Sequence, residues 1–367
     1  SSAPLAEASF ETNLYYQAGL LDAPDVWLWG FVVGGTSKSF PLTFSGLDPS
    51  SPLPAHFQVR VQGASEDADT TGDHHLALSL NGAPLGETTF GGKLPHVFST
   101  SVSASVLLEG ENTLTVTNLG DTGAYSFVFL DRVDLVHPQG AALRSGLFSG
   151  VFTEGGRAIV SGEARVGVDV TDPDAPVWIK TLRHKAGTVS FQAEAGHRYV
   201  LASPEGLLAP RVSIPPRSTL RRARNQADYV LIAPEAFLET AQPLLERRRD
   251  QGLRTRAVSF EEIAAVFGHG RPSAPAIRDF LAYAYHSWQA PSLKYVLLLG
   301  DSSYDPRNFT GFDQGAPLPA MWVKTSYLWT SSDPAYGAVN GEDLLPDVAI
   351  GRLPAKTLEE AQVLVQK

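Results

Sequence analysis

Five aspartates stand around two short apolar runs in the last quarter of this 367-residue chain. Asp301 and Asp305 follow YVLLLG (295–300), Asp333 and Asp343 precede PDVAIGR (346–352), and Asp347 begins it. Carboxylate oxygens brought to one edge suit Ca²⁺, a hard cation that takes six to eight oxygen ligands. Asp301, Asp305 and Asp343 are therefore candidate ligands for a structural calcium. The other reading of Gly300-Asp301 is a turn whose carboxylate caps nearby backbone N–H groups. A second acidic group, Glu66, Asp67, Asp69 and Asp73, lies in SEDADTTGDHH (65–75). It lacks the Asp-x-Asp-x-Asp-Gly spacing of an EF-hand loop and reads better as a solvated loop. His74 and His75 are adjacent in a strand, so they point to opposite faces and do not easily chelate one metal.

Nucleophilic chemistry is more restricted. The chain has no cysteine, which excludes disulfides, thiolate metal sites and a thiol nucleophile within it. Its nine histidines show no Ser–His–Asp arrangement and no metal-ligand spacing. A net charge of −10, from 39 acidic and 29 basic residues, disfavours nucleic acid and anionic membrane as partners of the whole chain. The most apolar run, YVLLLG, is too short to span a bilayer. The start, SSAPLAEASFE, shows no basic or apolar signal-peptide region.

The elements that would position these residues fall into three parts and a linker. Residues 1–145 read as all-β. In HLALSLNG (75–82), Leu76, Leu78 and Leu80 alternate with His75, Ala77 and Ser79, the period of a half-buried strand. Asn81-Gly82 then marks a tight turn of the primed type. NTLTVTNL (112–119) and AYSFVFLDRVDLV (124–136) supply further strands, separated by turns at sandwich spacing. The pattern LNG…LLEGENTLTVTN…VFLDRVDL resembles galactose-binding-like jelly rolls, which implies a glycan as one possible partner. Residues 146–217 read as a smaller β-sandwich module with a turn at Asp172-Pro173-Asp174. Residues 218–226, inside IPPRSTLRRARNQ, read as an exposed basic linker.

Residues 227–367 switch to alternating β and α. DYVLIAP is a continuous apolar run of the buried parallel type. A helix is expected from about Ala236 to Gln251, closed by Gly252. A strand at 253–259, a short helix EEIAAVF and a helix from Ser273 to about Trp288 follow. YVLLLGD and PDVAIGR give two more strands, and Thr357-x-x-Glu360 is a capping box opening a last helix. The alternation argues a parallel sheet covered on both faces, with function at the carboxyl ends of its strands.

Residues 224–367 resemble the amino-terminal part of the catalytic domain of gingipain-type cysteine peptidases. The resemblance rests on ADYVLIAP, a helix ending RRRDQGLRTRAV, PSAPAIRDFLAYAY, YVLLLGDSSYDPRN, SDPAYG, Gly341 with Asp343, and PDVAIGRLPA, in that order. It implies a caspase-like α/β fold, of which this would be the first half, and a His–Cys pair acting on a protein or peptide substrate with no catalytic cofactor. In the family both catalytic residues follow the IGRLPA strand, so none is carried onto this chain. Gly268-His269-Gly270 superficially matches the catalytic Gly-His-Gly but comes too early in the order. The apolar stripe Leu358, Ala361, Leu364 and Val365 runs to Lys367 without a stop signal. The expected partner is therefore a carboxyl-terminal catalytic portion of the same precursor, and the expected location is secreted or on the surface of a bacterium. The alternatives are a glycan-binding or cell-surface protein with a degenerate peptidase scaffold, or a relative that processes export signals.

Overall fold

The leucine alternation of the first half closes into the expected hairpin. His74–Leu80 pairs antiparallel with Ala83–Phe90, and Asn81 and Gly82 both take positive φ, 52° and 82°, as a primed turn requires. The computed structural model describes residues 3–367 apart from 213, 216, 313, 314, 342 and 344. It divides into two compact units, residues 1–211 and 212–367.

In the first unit, a four-stranded sheet runs Thr36–Phe44, Gly110–Asn118, His74–Leu80, Ala83–Phe90. It packs on strands Leu5–Glu11, Phe127–Pro138, Pro54–Gly63 and Pro95–Ser103 of a larger sheet. The two inner faces share one core that includes Phe40, Leu42, Leu78 and Leu114 from the smaller sheet and Phe57, Val59 and Val133 from the larger. Full burial of each such side chain contributes about 1.5–3 kcal/mol. The larger sheet does not stop near residue 145. Through the pairing Leu5↔Val151 it continues into Leu147–Val151, Arg198–Ala202, Val166–Asp169 and Val177–Trp178. The smaller β module has its own core around Phe148, Phe152, Phe191 and Tyr199 but shares this sheet.

The second unit is a four-stranded, wholly parallel sheet. Its strands are β1 (Tyr229–Ala233), β2 (Thr255–Ser259), β3 (Tyr295–Leu299) and β4 (Ala349–Leu353), in the order β2-β1-β3-β4. All five residues of β1 are buried, which accounts for its unbroken apolar run. Helices α2 (Phe260–Phe267) and α3 (Ala274–Ser287) cover one face; α1 (Gln242–Asp250) and α4 (Leu358–Gln366) cover the other. The Oγ of Ser259, Ser273 and Thr357 each accept a backbone N–H at their helix starts. Glu360 completes its box one residue early, accepting from the N–H of Lys356.

Two expectations change. The first helix does not start near Ala236. Residues 235–237 make one 3₁₀ turn, and the α-helix begins at Gln242 with Pro243 in its first turn. Proline lacks an N–H and its ring would strike the carbonyl four residues back, so a helix begun at 236 cannot run through it. The proposed linker 218–226 is also not free; Pro216, just before it, lies outside the described residues. Leu220 is 0% exposed and belongs to the core under α3. Its carbonyl accepts from Trp288 Nε1 at 3.0 Å, and the Arg221 carbonyl accepts from the Tyr283 hydroxyl at 2.7 Å. The Arg221 guanidinium lies 4.5 Å from the Phe267 ring centroid. Sequence composition signalled exposure because the arginines dominate it, while one leucine decides the docking.

Leu220→Ala is expected to destabilise the second unit by about 2–5 kcal/mol, whereas Ile214→Ala, at a 93% exposed position, shifts it by under about 0.5 kcal/mol. Urea unfolding followed by helical circular dichroism, which arises from the α-helices of the second unit, measures both.

Candidate functional site at the carboxyl ends of the parallel strands

β3 ends at Leu299, but its bonding to the β4 segment runs on: Gly300 N–H donates to Leu353 O and Asp301 N–H to Ala355 O. This places Asp301 beside the start of α4, where a cavity of about 510 Å³ opens. Its lining is Asp301, Pro354, Lys356, Glu359, Glu360, Val363 and Leu364. The Asp301 carboxylate accepts from Ser302 N–H at 2.9 Å and faces Lys356 Nζ at 4.0 Å.

The edge is held by Arg352 on β4. Its guanidinium is 9% exposed and forks onto Asp333 at 2.9 and 2.7 Å. It also donates to Gly300 O at 2.8 Å and Pro319 O at 3.3 Å. Tyr336, fully buried, donates its hydroxyl to the same Pro319 carbonyl at 2.7 Å, and burial pushes its pKa up. Three segments distant in sequence thus converge on one cation. Asp347 ties the next loop by accepting from the N–H groups of Val339 and Asn340 at 3.0 and 2.8 Å. Arg278 and His286 of α3 bond the carbonyls of Ala338 and Val339.

The three candidate calcium ligands are not brought together. Asp305 is 1% exposed and both its oxygens are taken: Phe309 N–H, Thr310 N–H and Thr310 Oγ1 each lie at 2.8 Å. Burial alone would raise its pKa, but these donors outweigh it and hold the carboxyl below the usual range. Asp301 is turned to Ser302 and Lys356. Asp343 is exposed on another loop and accepts from Leu345 N–H at 3.1 Å. Among the described residues no three His, Asp or Glu side chains stand close enough to hold an ion. Each of the three carboxylates instead accepts from a backbone N–H of its own loop, as the turn reading expects. His269 sits at φ 51° in an exposed turn after α2, far from this edge in the chain's order.

In the first unit the acidic loop is not wholly solvated. Asp73 is 1% exposed and accepts from Gly92 N–H at 2.9 Å and Asp67 N–H at 3.2 Å. His74 is buried against Ser126 Oγ, while His75 on the opposite face meets Asp121 at 2.9 Å. Sequence reasoning missed Asp131. It occupies a bulge in the pairing of Phe127–Pro138 with Pro54–Gly63, which turns it toward a small cleft with Asp25, Gln62 and His96. Burial, then the nearby Glu11 and Asp25, push its carboxyl up to about 6. An apparent alternation of Asp131 and Arg132 gave no sign of the extra residue.

Comparison with known proteins assigns the second unit. The model of peptidase family C25 matches residues 222–367. That match supports a gingipain-type peptidase family for this part of the chain. Gingipain R2 of Porphyromonas gingivalis is 26% identical over 151 residues, which is 41% of this chain and 17% of that protein. The crystal structure of dimeric latent PorU from the same organism superimposes with all of this chain at a TM-score of 0.71 and 18% identity, over 38% of its own length. The likeness to PorU shows a shared fold. The chain thus spans well under half of either relative. No helix among the described residues is long and apolar enough to cross a membrane.

Two outcomes are expected. Asp305→Ala destabilises by roughly 1–3 kcal/mol at pH 7, because it leaves the buried donors of Phe309 and Thr310 unpaired. The wild-type advantage is present above the unfolded value near pH 3.9 and shrinks as pH falls toward the lowered folded value. Asp131 behaves oppositely. Its folded pKa is raised, so its stabilising contribution is full below about pH 3.9 and is lost as pH rises through about 6. Asp131→Asn should therefore melt above wild type at pH 8, with the gap closing toward pH 4. Thermal melts across pH 3–8 check both.

Proposed function

We propose that this chain is the amino-terminal part of a secreted or surface-exposed gingipain-like cysteine endopeptidase, with residues 222–367 forming the scaffold part of a caspase-like catalytic domain. The family match over those residues, coinciding with a four-stranded parallel sheet, carries this reading. The attacking thiolate comes from polypeptide outside residues 1–367, since the chain has no cysteine. There, a histidine takes the thiol proton, the sulfur attacks the scissile carbonyl, and backbone N–H groups stabilise the oxyanion. The contribution of this chain is positional. Arg352, Asp333, Tyr336 and Asp305 fix the loops at the carboxyl edge of the sheet.

The full-length protein should hydrolyse peptide substrates, with activity abolished by iodoacetamide. Residues 1–367 alone should give no turnover above background. Turnover by residues 1–367, or a full-length activity indifferent to alkylation, would overturn the assignment.

A further inference from the structure

The net charge of −10 belongs wholly to residues 1–211, because residues 212–367 carry 17 basic and 17 acidic side chains. Within the second unit the charges are segregated. Residues 217–256 hold nine arginines against five carboxylates. The fold brings Arg247–Arg249, Arg254 and Arg256 to the amino-terminal ends of the strands, the pole opposite the loops described above. α1 returns from the carboxyl end of β1, so its last turn, Arg247–Arg249, reaches this pole. There Arg249 Nε donates to Thr255 Oγ1, the first residue of β2, at 2.9 Å. Arg254 and Arg256 flank Thr255. On the other face, Arg256 donates to Asn225 Oδ1 at 2.8 Å and Thr219 Oγ1 at 2.9 Å. That ties the segment carrying Arg222 and Arg224 to the same strand.

Among the described residues β2 pairs only with β1 and so forms a sheet edge. Part of this charge is used internally: Arg254 pairs with Asp228 at 3.0 Å, and Arg256 lies over Trp288. Arg222, Arg224 and Arg247 are exposed and make no ion pair among the described residues. The positive charge is spread over three segments, the last turn of α1, the start of β2 and residues 219–225. That geometry suits a linear polyanion more than a single small anion. Bases would need aromatic platforms, and the rings here are already covered: Tyr229 by Arg248, Phe267 and Tyr283 by Arg221, Trp288 by Arg256.

We propose that the arginine-flanked β2 edge of residues 212–367 is a binding surface for an acidic polysaccharide carrying uronate or sulfate groups. The competing explanation is that the charges only keep the edge strand from pairing with other chains. Calorimetric titration of residues 1–367 with polygalacturonate and with heparin, at 50 and 300 mM NaCl, separates the two. Binding at 50 mM should weaken at least about tenfold at 300 mM, as counterion release requires. The triple variant R222Q/R224Q/R247Q should bind at least about fivefold more weakly than R165Q/R183Q/K185Q, which removes the same charge from the first unit. Melting midpoints of both triples establish that they are folded. Absence of binding to either polymer at 50 mM overturns the proposal, as does equal weakening by the two triples. Self-association of the first triple without wild-type polysaccharide binding identifies the arginines as edge guards and overturns it too. Affinity for a dT20 oligonucleotide equal to that for polygalacturonate would overturn the assignment to polysaccharide.

Discussion

The carboxyl edge of the parallel sheet depends on one nearly buried guanidinium. A charge taken out of water is costly unless every donor finds an acceptor. Arg352 comes close to that condition, with four of its five N–H donors on one carboxylate and two carbonyls, and each acceptor belongs to a different stretch of chain. The end of β3, the Pro319 segment and the Asp333 turn are therefore fixed relative to one another by the requirement to satisfy this group. Its planar fork matters, because a lysine could not meet Asp333 at two points while also reaching the carbonyls.

In that arrangement the described carboxylates of this edge are engaged by donors of the protein itself. These carboxylates meet donors of the protein: Asp305 the amides of Phe309 and Thr310, Asp347 those of Val339 and Asn340, and Asp333 the β4 arginine. Calcium would do the same work of ordering irregular chain, but it would need these oxygens uncommitted and convergent. The sequence shows only that carboxylates are close together along the chain. Whether they converge or cap depends on backbone N–H directions, which have no signature in residue type.

Legibility elsewhere followed the same division. The hairpin at Asn81-Gly82, the buried strand at 229–233 and the helix opened by Ser273 were readable because each is set by a local rule: turn chemistry, burial on both faces, a side-chain cap. The helix start at Gln242 was also local, and Pro243 would have given it. The docking of Leu220 was not. It depends on a cavity formed by α3 and the strands beneath it, among residues from 227 to 298. The continuity of the first unit's larger sheet past residue 145 was hidden for a related reason: a single pairing, Leu5↔Val151, joins positions far apart in the chain.

A scaffold with a rigid loop pole and an arginine-rich opposite pole has two surfaces that sequence composition averages away. The whole-chain charge of −10 argues against polyanion contacts, yet it arises entirely from residues 1–211. Surface potentials act over about 8 Å at physiological ionic strength, so a partner meets the local charge and not the sum. The second unit is neutral in total and strongly uneven in detail, because α1 and β2 stack their arginines at one end of the sheet. For such a unit, net charge excludes a partner class only after the fold has shown which charges share a face.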